Sequence, residues 1–297
     1  MPEPSEDHGN LTPPPGRALA ISVGNTSTRI GLINGLSVVA GRSVPATDLD
    51  AVLSSAEALV REAEESAESS GSGSDASDPV ESVLLATVNR SASDPVVAAL
   101  GPRLGLPVQA FGASLPVPIA TEVEDAARVG QDRLLAALGA FGVVQQACVV
   151  IDAGTALTID FVDGQGVFHG GAIMPGAQAM LDTLASSTDA LPSLALEDMP
   201  DPLEPFGKST AHAMFLGVRA AIRGSVRYLA ERYADYYDAY PQIIATGGDA
   251  QLLLGGDELI ETIVPDLVLI GMAAARARYI AGDAETGDGD GGGPSDG

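Results

Sequence analysis

The sequence predicts an α/β protein built by duplication, two mixed units of strands and helices with an active-site cleft between them. Two observations predict it. Short apolar runs bounded by Gly, Pro and Asp alternate with longer stretches whose apolar residues recur every three or four positions. In addition, ISVGNTSTRIGL (21–32) returns as IDAGTALTIDFV (151–162), an offset of 130 residues that aligns Ile21 with Ile151, Gly24 with Gly154 and Thr28 with Thr158. Each copy reads as strand, small-residue turn, strand, and each opens a mixed α/β stretch.

Residues 1–16, polar and proline-rich, read as a disordered tail. ALAISV, a Gly-Asn turn and TRIGLI then form a hairpin, and VVAGRSV supplies a third strand. Residues 49–66 have helical character. SAESSGSGSDASDP, about 66–79, is a flexible Gly/Ser/Asp linker. SVLLATV is a short buried strand, PVVAALGPRLG a helix and PVQAF another strand. From Gly130, GQDRLLAALGAFGVV is a helix leading into the strand ACVVIDA, and two further strands surround the turn at Asp163-Gly164. Over 209–237, Phe215, Val218, Ile222, Val226, Leu229 and Tyr233 make one apolar stripe, with Ser209 placed as N-cap. PQIIATGG is a strand and a Gly turn, and a helix follows Pro265. The expected organisation is a first unit over 17–147, a second over 148–281, and a disordered acidic tail over 282–297.

Composition excludes several functions. The 297-residue chain carries a formal charge of −25 and a single lysine, Lys208. A nucleic-acid ligand requires a basic face, and none is present. No run reaches the roughly 18–20 apolar residues of a membrane span. The N-terminus lacks the apolar core of a signal peptide, and the lone Cys148 cannot pair within the chain, so the expected location is the cytoplasm.

Four places carry chemistry. Turns of Gly, Asn and Thr present backbone N–H groups and hydroxyls that suit phosphate oxygens, although Gly and Asn also serve ordinary hairpins. Two such turns across a cleft would grip a triphosphate, with Asp152 placed to hold a cation. Asp132 and Arg133 open an otherwise apolar helix. One reading is a carboxylate favoured by the helix dipole beside a surface arginine; the other is a general base with a planar fork for a substrate anion. ATGG (245–248) lets a flat ring approach the backbone, or is simply a strand-to-helix turn. PFGKST (205–210) imitates the end of a P-loop, but Pro202 stands where that motif needs its first Gly. Thr210 there contacts substrate or caps the helix.

VGNTST, VGQDRL, VIDAGTALTIDFVD, GGAIMPG, GKST and ATGG, in this order and spacing, resemble type III pantothenate kinase over roughly residues 18–280. The resemblance implies duplicated ribonuclease H-like (actin-like ATPase) domains. It also implies ATP-dependent phosphorylation of pantothenate, the first step towards coenzyme A, by a homodimer whose substrate pocket involves the dimer interface. Carried over by motif, Asp132 is the proton acceptor. Gly130, Gln131, Asp132, Arg133 and Thr210 contact pantothenate. Ser22, Val23, Gly24, Asn25, Thr26, Ser27, Thr28, Arg29 and Thr155 contact ATP. Asp152 holds a monovalent cation, potassium or ammonium, and Mg2+ accompanies ATP.

Two departures accompany the resemblance. The family's first hairpin begins with Asp where this chain has Ser22, and a hydroxyl is a weaker magnesium ligand than a carboxylate. The family's Tyr-Asp-Asn-Pro is here Val123-Glu124-Asp125-Ala126. A non-catalytic nucleotide- or pantothenate-binding regulator, favoured by Ser22, and a kinase of another small hydroxylated acid are the alternatives.

Overall fold

The computed structural model describes residues 15–69, 78–87, 90–201 and 203–287. Contacts divide the chain into two compact units, one of residues up to Pro118 together with those from Val268 onward, the other Ile119–Leu267.

The first unit holds β1 (Arg17–Val23), β2 (Ser27–Asn34), β3 (Ser37–Pro45), α1 (Leu49–Ser69), β4 (Val80–Thr87), α2 (Arg90–Leu104), β5 (Val108–Ala110) and, from the far end of the chain, α7 (Leu267–Gly287). Its sheet runs β3-β2-β1-β4-β5. The first three strands are antiparallel, and β1, β4 and β5 are parallel. β1 is central and buried on both faces, which is why ALAISV reads as a continuous apolar run. Leu19, Ile21 and Val23 meet Val52, Ala56 and Leu59 of α1 and Leu100 of α2. α7 packs on β2, with Leu269 against Gly31. Arg276 anchors it by bonding the carbonyls of Pro15 and Gly16 and the Glu81 carboxylate.

The second unit holds α3 (Gln131–Val144), β6 (Cys148–Ala153), β7 (Ala156–Val162), β8 (Phe168–Pro175), α4 (Ala177–Ser186), α5 (Thr210–Tyr237), β9 (Gln242–Thr246), α6 (Ala250–Leu254) and β10 (Thr262–Ile263). Its sheet runs β8-β7-β6-β9-β10. β6 to β8 are antiparallel, and β6, β9 and β10 are parallel. The same order and the same directions thus occur twice, which is the duplication expected from the repeat and the ribonuclease H-like arrangement implied by the resemblance.

Strand alternation sorts the second sheet's residues by face. Val149, Ile151, Leu157, Ile159 and Phe161 pack with the α5 stripe of Phe215, Val218, Ile222 and Val226, and with α4 and α6. The opposite face carries Val150, Asp152, Thr158 and Asp160 and receives α3, whose Arg133 reaches Asp160. Ser209 caps α5 as expected, its side chain accepting from the His212 amide at 3.2 Å. Cys148 is fully buried, and burial pushes its thiol up to about 12.

Several boundaries differ from the sequence reading. α1 continues to Ser69, through the start of the expected linker, and α7 continues to Gly287, past the expected start of the tail. α2 begins at Arg90, five residues before the expected Pro95. α4, α6 and β10 were not anticipated. The units do not follow the expected division at 147/148, because α3 belongs with the second sheet and α7 with the first. Residues 1–14 and 288–297 of the expected tails, and 70–77 of the expected linker, lie outside the described residues.

Candidate active site

Register explains why the second unit gathers charge on one face. Asp152 stands across from Thr158, and Val150 across from Asp160, so Asp152, Thr158 and Asp160 share the α3 side of the sheet. α3 begins above them with Gly130 as an N-cap that offers no side-chain bond. Asp132 supplies the missing acceptor locally, taking the Arg133 amide at 2.9 Å.

Arg133 turns its guanidinium down onto the sheet. Its Nε donates to Asp160 Oδ2 at 3.0 Å and one Nη donates to Oδ1, a bidentate pair. The guanidinium carbon also lies 5.6 Å from the centre of the Phe168 ring. Asp160 is only 2% exposed, and its other bond comes from the Thr158 hydroxyl. Across from it in β8 stands Gly171, where a Cβ would lie 2.6 Å from Asp160 Oδ1 and 2.1 Å from the Ile159 carbonyl. Only glycine leaves room for this carboxylate.

The electrostatics follow from burial. Desolvation raises the Asp132 carboxyl above its usual range, partly offset by the Arg133 amide and charge. Asp152 is pushed up to about 6 by burial first, then by the charges of Asp132, Asp160 and Asp249. Burial also raises Asp160 against the pull of Arg133, while that pair raises Arg133. Burial alone raises Asp249. The charges of Asp132, Asp160 and Asp249 therefore all bear on Asp152, with one arginine among them. Among the described residues, no three acids, cysteines or histidines are gathered closely enough to form a metal-binding cluster.

Loops close around Asp152. The Asp249 amide donates to the Ala153 carbonyl at 3.0 Å, and the Gly176 amide to the Thr155 carbonyl at 3.1 Å. Gly247 has φ +98°, and a Cβ there would lie 2.5 Å from Asp152 Oδ1. The first glycine of ATGG is thus committed to packing against its own chain, and only Gly248 faces open space. Thr155 is exposed at the tip of this turn.

The first unit's hairpin has a different chemistry. The Gly24 amide donates to the Ser27 carbonyl at 3.0 Å and closes the turn, leaving Asn25, Thr26 and Ser27 exposed. Ser22 pairs directly with Arg29, so a hydroxyl and a guanidinium share a face where the second hairpin pairs Asp152 with Thr158. Val23 and Thr28 are buried, and the Thr28 hydroxyl has no hydrogen-bond partner. Thr28 points the same way as Ile30 and Leu32, into the core of the first unit.

Thr210 does not join the Asp132 group. It begins α5, on the opposite face of the sheet from α3. There it lines an apolar cavity of about 520 Å³ with Pro175, Met180, Leu191 and Met214. Segment 123–126 leads into a single 3₁₀ turn, Ala126–Arg128, capped by Asp125. Asp160 escaped the sequence reading; the signal was an acid inside the apolar run LTIDFV, which cannot be buried without a partner. No helix among the described residues is long and apolar enough to cross a membrane.

A family model described as type III pantothenate kinase matches residues 18–232. A type III pantothenate kinase of Rhodopirellula baltica is 39% identical over 178 residues, 58% of this chain and 63% of that protein. Another, of Akkermansia muciniphila, is 38% identical over 148 residues, 50% of this chain and 60% of that one. A third, of Ectopseudomonas mendocina, is 37% identical over 200 residues, 65% and 78%. The match thus spans somewhat under two thirds of the first two relatives. Among solved structures, a conserved Baf family protein from Campylobacter jejuni superposes with a TM-score of 0.56 at 17% identity, covering 89% of this chain and 99% of that one, which shows a shared fold.

Proposed function

The chain belongs to the type III pantothenate kinase family, and from that premise we propose that it transfers the γ-phosphoryl group of ATP to the primary hydroxyl of pantothenate. The observation that carries this reading is the placement of Asp132. It heads α3 beside an arginine fixed by Asp160, and burial moves its carboxyl in the direction a general base needs. Asp132 takes the hydroxyl proton as the oxygen attacks phosphorus. Arg133 gives its Nε and one Nη to Asp160, so its outer edge is directed elsewhere and suits the pantothenate carboxylate. Gly130 and Gln131 frame the same helix start. Positioning and charge neutralisation do most of the work in such a transfer.

The turns at 22–27 and at Thr155, with the Arg29 guanidinium, are the phosphate contacts. A monovalent cation, potassium or ammonium, fits at Asp152, because a positive ion there offsets the repulsion that Asp132, Asp160 and Asp249 exert on it. Magnesium does not fit a direct protein ligand at the first hairpin, which offers Ser22 and Arg29 and no carboxylate; it accompanies the ATP phosphates. Thr210 lies on the far face of the sheet from Asp132, so we assign its contact to the pantothenate of a second copy. That placement supports a homodimer with shared sites. A cytoplasmic location accords with dependence on ATP.

The test is ADP release by the purified protein with ATP, magnesium, potassium and pantothenate. Pantothenate-dependent turnover is the expected result; ATP binding without it would overturn the reading.

A further inference from the structure

We propose that Asp160 is a positioning residue for substrate recognition: by gripping Arg133 bidentately, it aims the free edge of that guanidinium at the substrate's carboxylate. The inference rests on the kinase reading and assigns a role to a residue outside the motif contacts. Its basis is geometric. Asp160 is 2% exposed and spends both oxygens on Arg133, with the Thr158 hydroxyl as a further donor. Phe168 lies against the same guanidinium. Gly171 leaves the space that the carboxylate occupies. An acid, a ring and a missing Cβ from three strand positions thus converge on one arginine.

An unsupported Arg side chain samples many rotamers, and a long flexible cation recognises a carboxylate weakly. A guanidinium held on one edge has a fixed plane, so its second edge meets a carboxylate in one orientation. Asp160 also cancels the Arg133 charge in part. The arginine therefore acts as an oriented double donor more than as a bare positive charge. Recognition should then depend on the shape of the anion, not merely on its sign.

The experiment measures discrimination. Dissociation constants of pantothenate and of pantothenol, which carries an alcohol in place of the carboxylate, are determined by calorimetry for the wild type and for Asp160→Asn. Fold is followed by near-ultraviolet circular dichroism, and the KM for ATP is recorded in parallel. The expected result is that the preference for pantothenate falls by about tenfold or more, the scale of one charge-assisted hydrogen bond, while the KM for ATP is unchanged. A merely structural role would move both substrates together. Should Asp160→Asn fail to fold, Thr158→Val carries the test, with a smaller loss of preference, about fivefold, because it removes one support of the Asp160 carboxylate and leaves its grip on Arg133. Preference retained in a folded variant of a wild type that turns over pantothenate overturns this inference alone. A wild type without pantothenate-dependent turnover overturns the kinase reading and this inference with it.

Discussion

Asp160 and Gly171 face each other across β7 and β8, and a Cβ on Gly171 would come within 2.6 Å of the Asp160 carboxylate. The pairing makes Gly171→Ala a sharp test of how the site is built. The added carbon would also lie 2.1 Å from the Ile159 carbonyl, so the strand itself must shift. The expected cost is about 1–3 kcal/mol, typical of overpacking, read as a lower denaturation midpoint. Gly248→Ala is the control, because open space surrounds that position, and it should leave the midpoint unchanged.

Asp132→Asn addresses chemistry separately from folding. The side chain keeps its shape but can no longer take a proton. Turnover should fall by about 10² to 10⁴, the usual contribution of a positioned base. Burial disfavours the charged carboxylate here, so the neutral amide should be at least as stable as the wild type. Single-turnover kinetics and thermal unfolding check the two halves. Survival of activity would mean that another group accepts the proton.

Asp152 makes the pH dependence of stability predictable in sign. Its carboxyl stands at about 6 in the folded chain against 3.8 for the free group. The folded state therefore binds a proton that the unfolded state has already released between these values. Stability from this group is fully present below about pH 4 and is lost as pH rises towards 6, by up to about 3 kcal/mol at 1.36 kcal/mol per unit. In buffers free of potassium and ammonium, Asp152→Asn should gain stability relative to the wild type between pH 4 and 7, measured by denaturant titration. Adding potassium at pH 7 should stabilise the wild type and leave the variant unmoved.

What could be read from sequence depended on distance along the chain. Both hairpins were legible because each strand is buried on two faces and each turn is small, features written into a dozen consecutive residues. The α5 stripe was legible for the same reason: Phe215, Val218, Ile222 and Val226 recur at the period of one helix face. Asp132, Arg133 and Asp152 were singled out from local oddity, as charges at the edge of apolar runs. Asp160 was not, because its meaning lies in a partner 27 residues away and in a glycine on the neighbouring strand. Nor could order along the chain show that α7 returns to the first sheet, a placement sealed by Arg276 and Glu81. Nor did the motif show that Thr28 faces the core with Ile30 and Leu32, which follows from the register of β1 and β2.

The pairing of Ser22 with Arg29 decides what a restored carboxylate can do. Ser22→Asp would place an anion directly across the strand from a guanidinium. Opposite charges in that position contribute roughly 0.2–1 kcal/mol, so a slightly higher unfolding temperature without nucleotide is expected. The same carboxylate would give magnesium a charged oxygen that a hydroxyl does not supply. Arg29 competes for it, which limits the gain. The expected outcome is half-maximal turnover at lower magnesium with ATP fixed, and a larger shift when Arg29 is changed to Gln in the same chain. Magnesium titrations of the two variants and the wild type measure this. Superimposable profiles would show that residue 22 does not face the nucleotide's metal, and would remove Ser22 as a reason to regard this chain as a weakened enzyme.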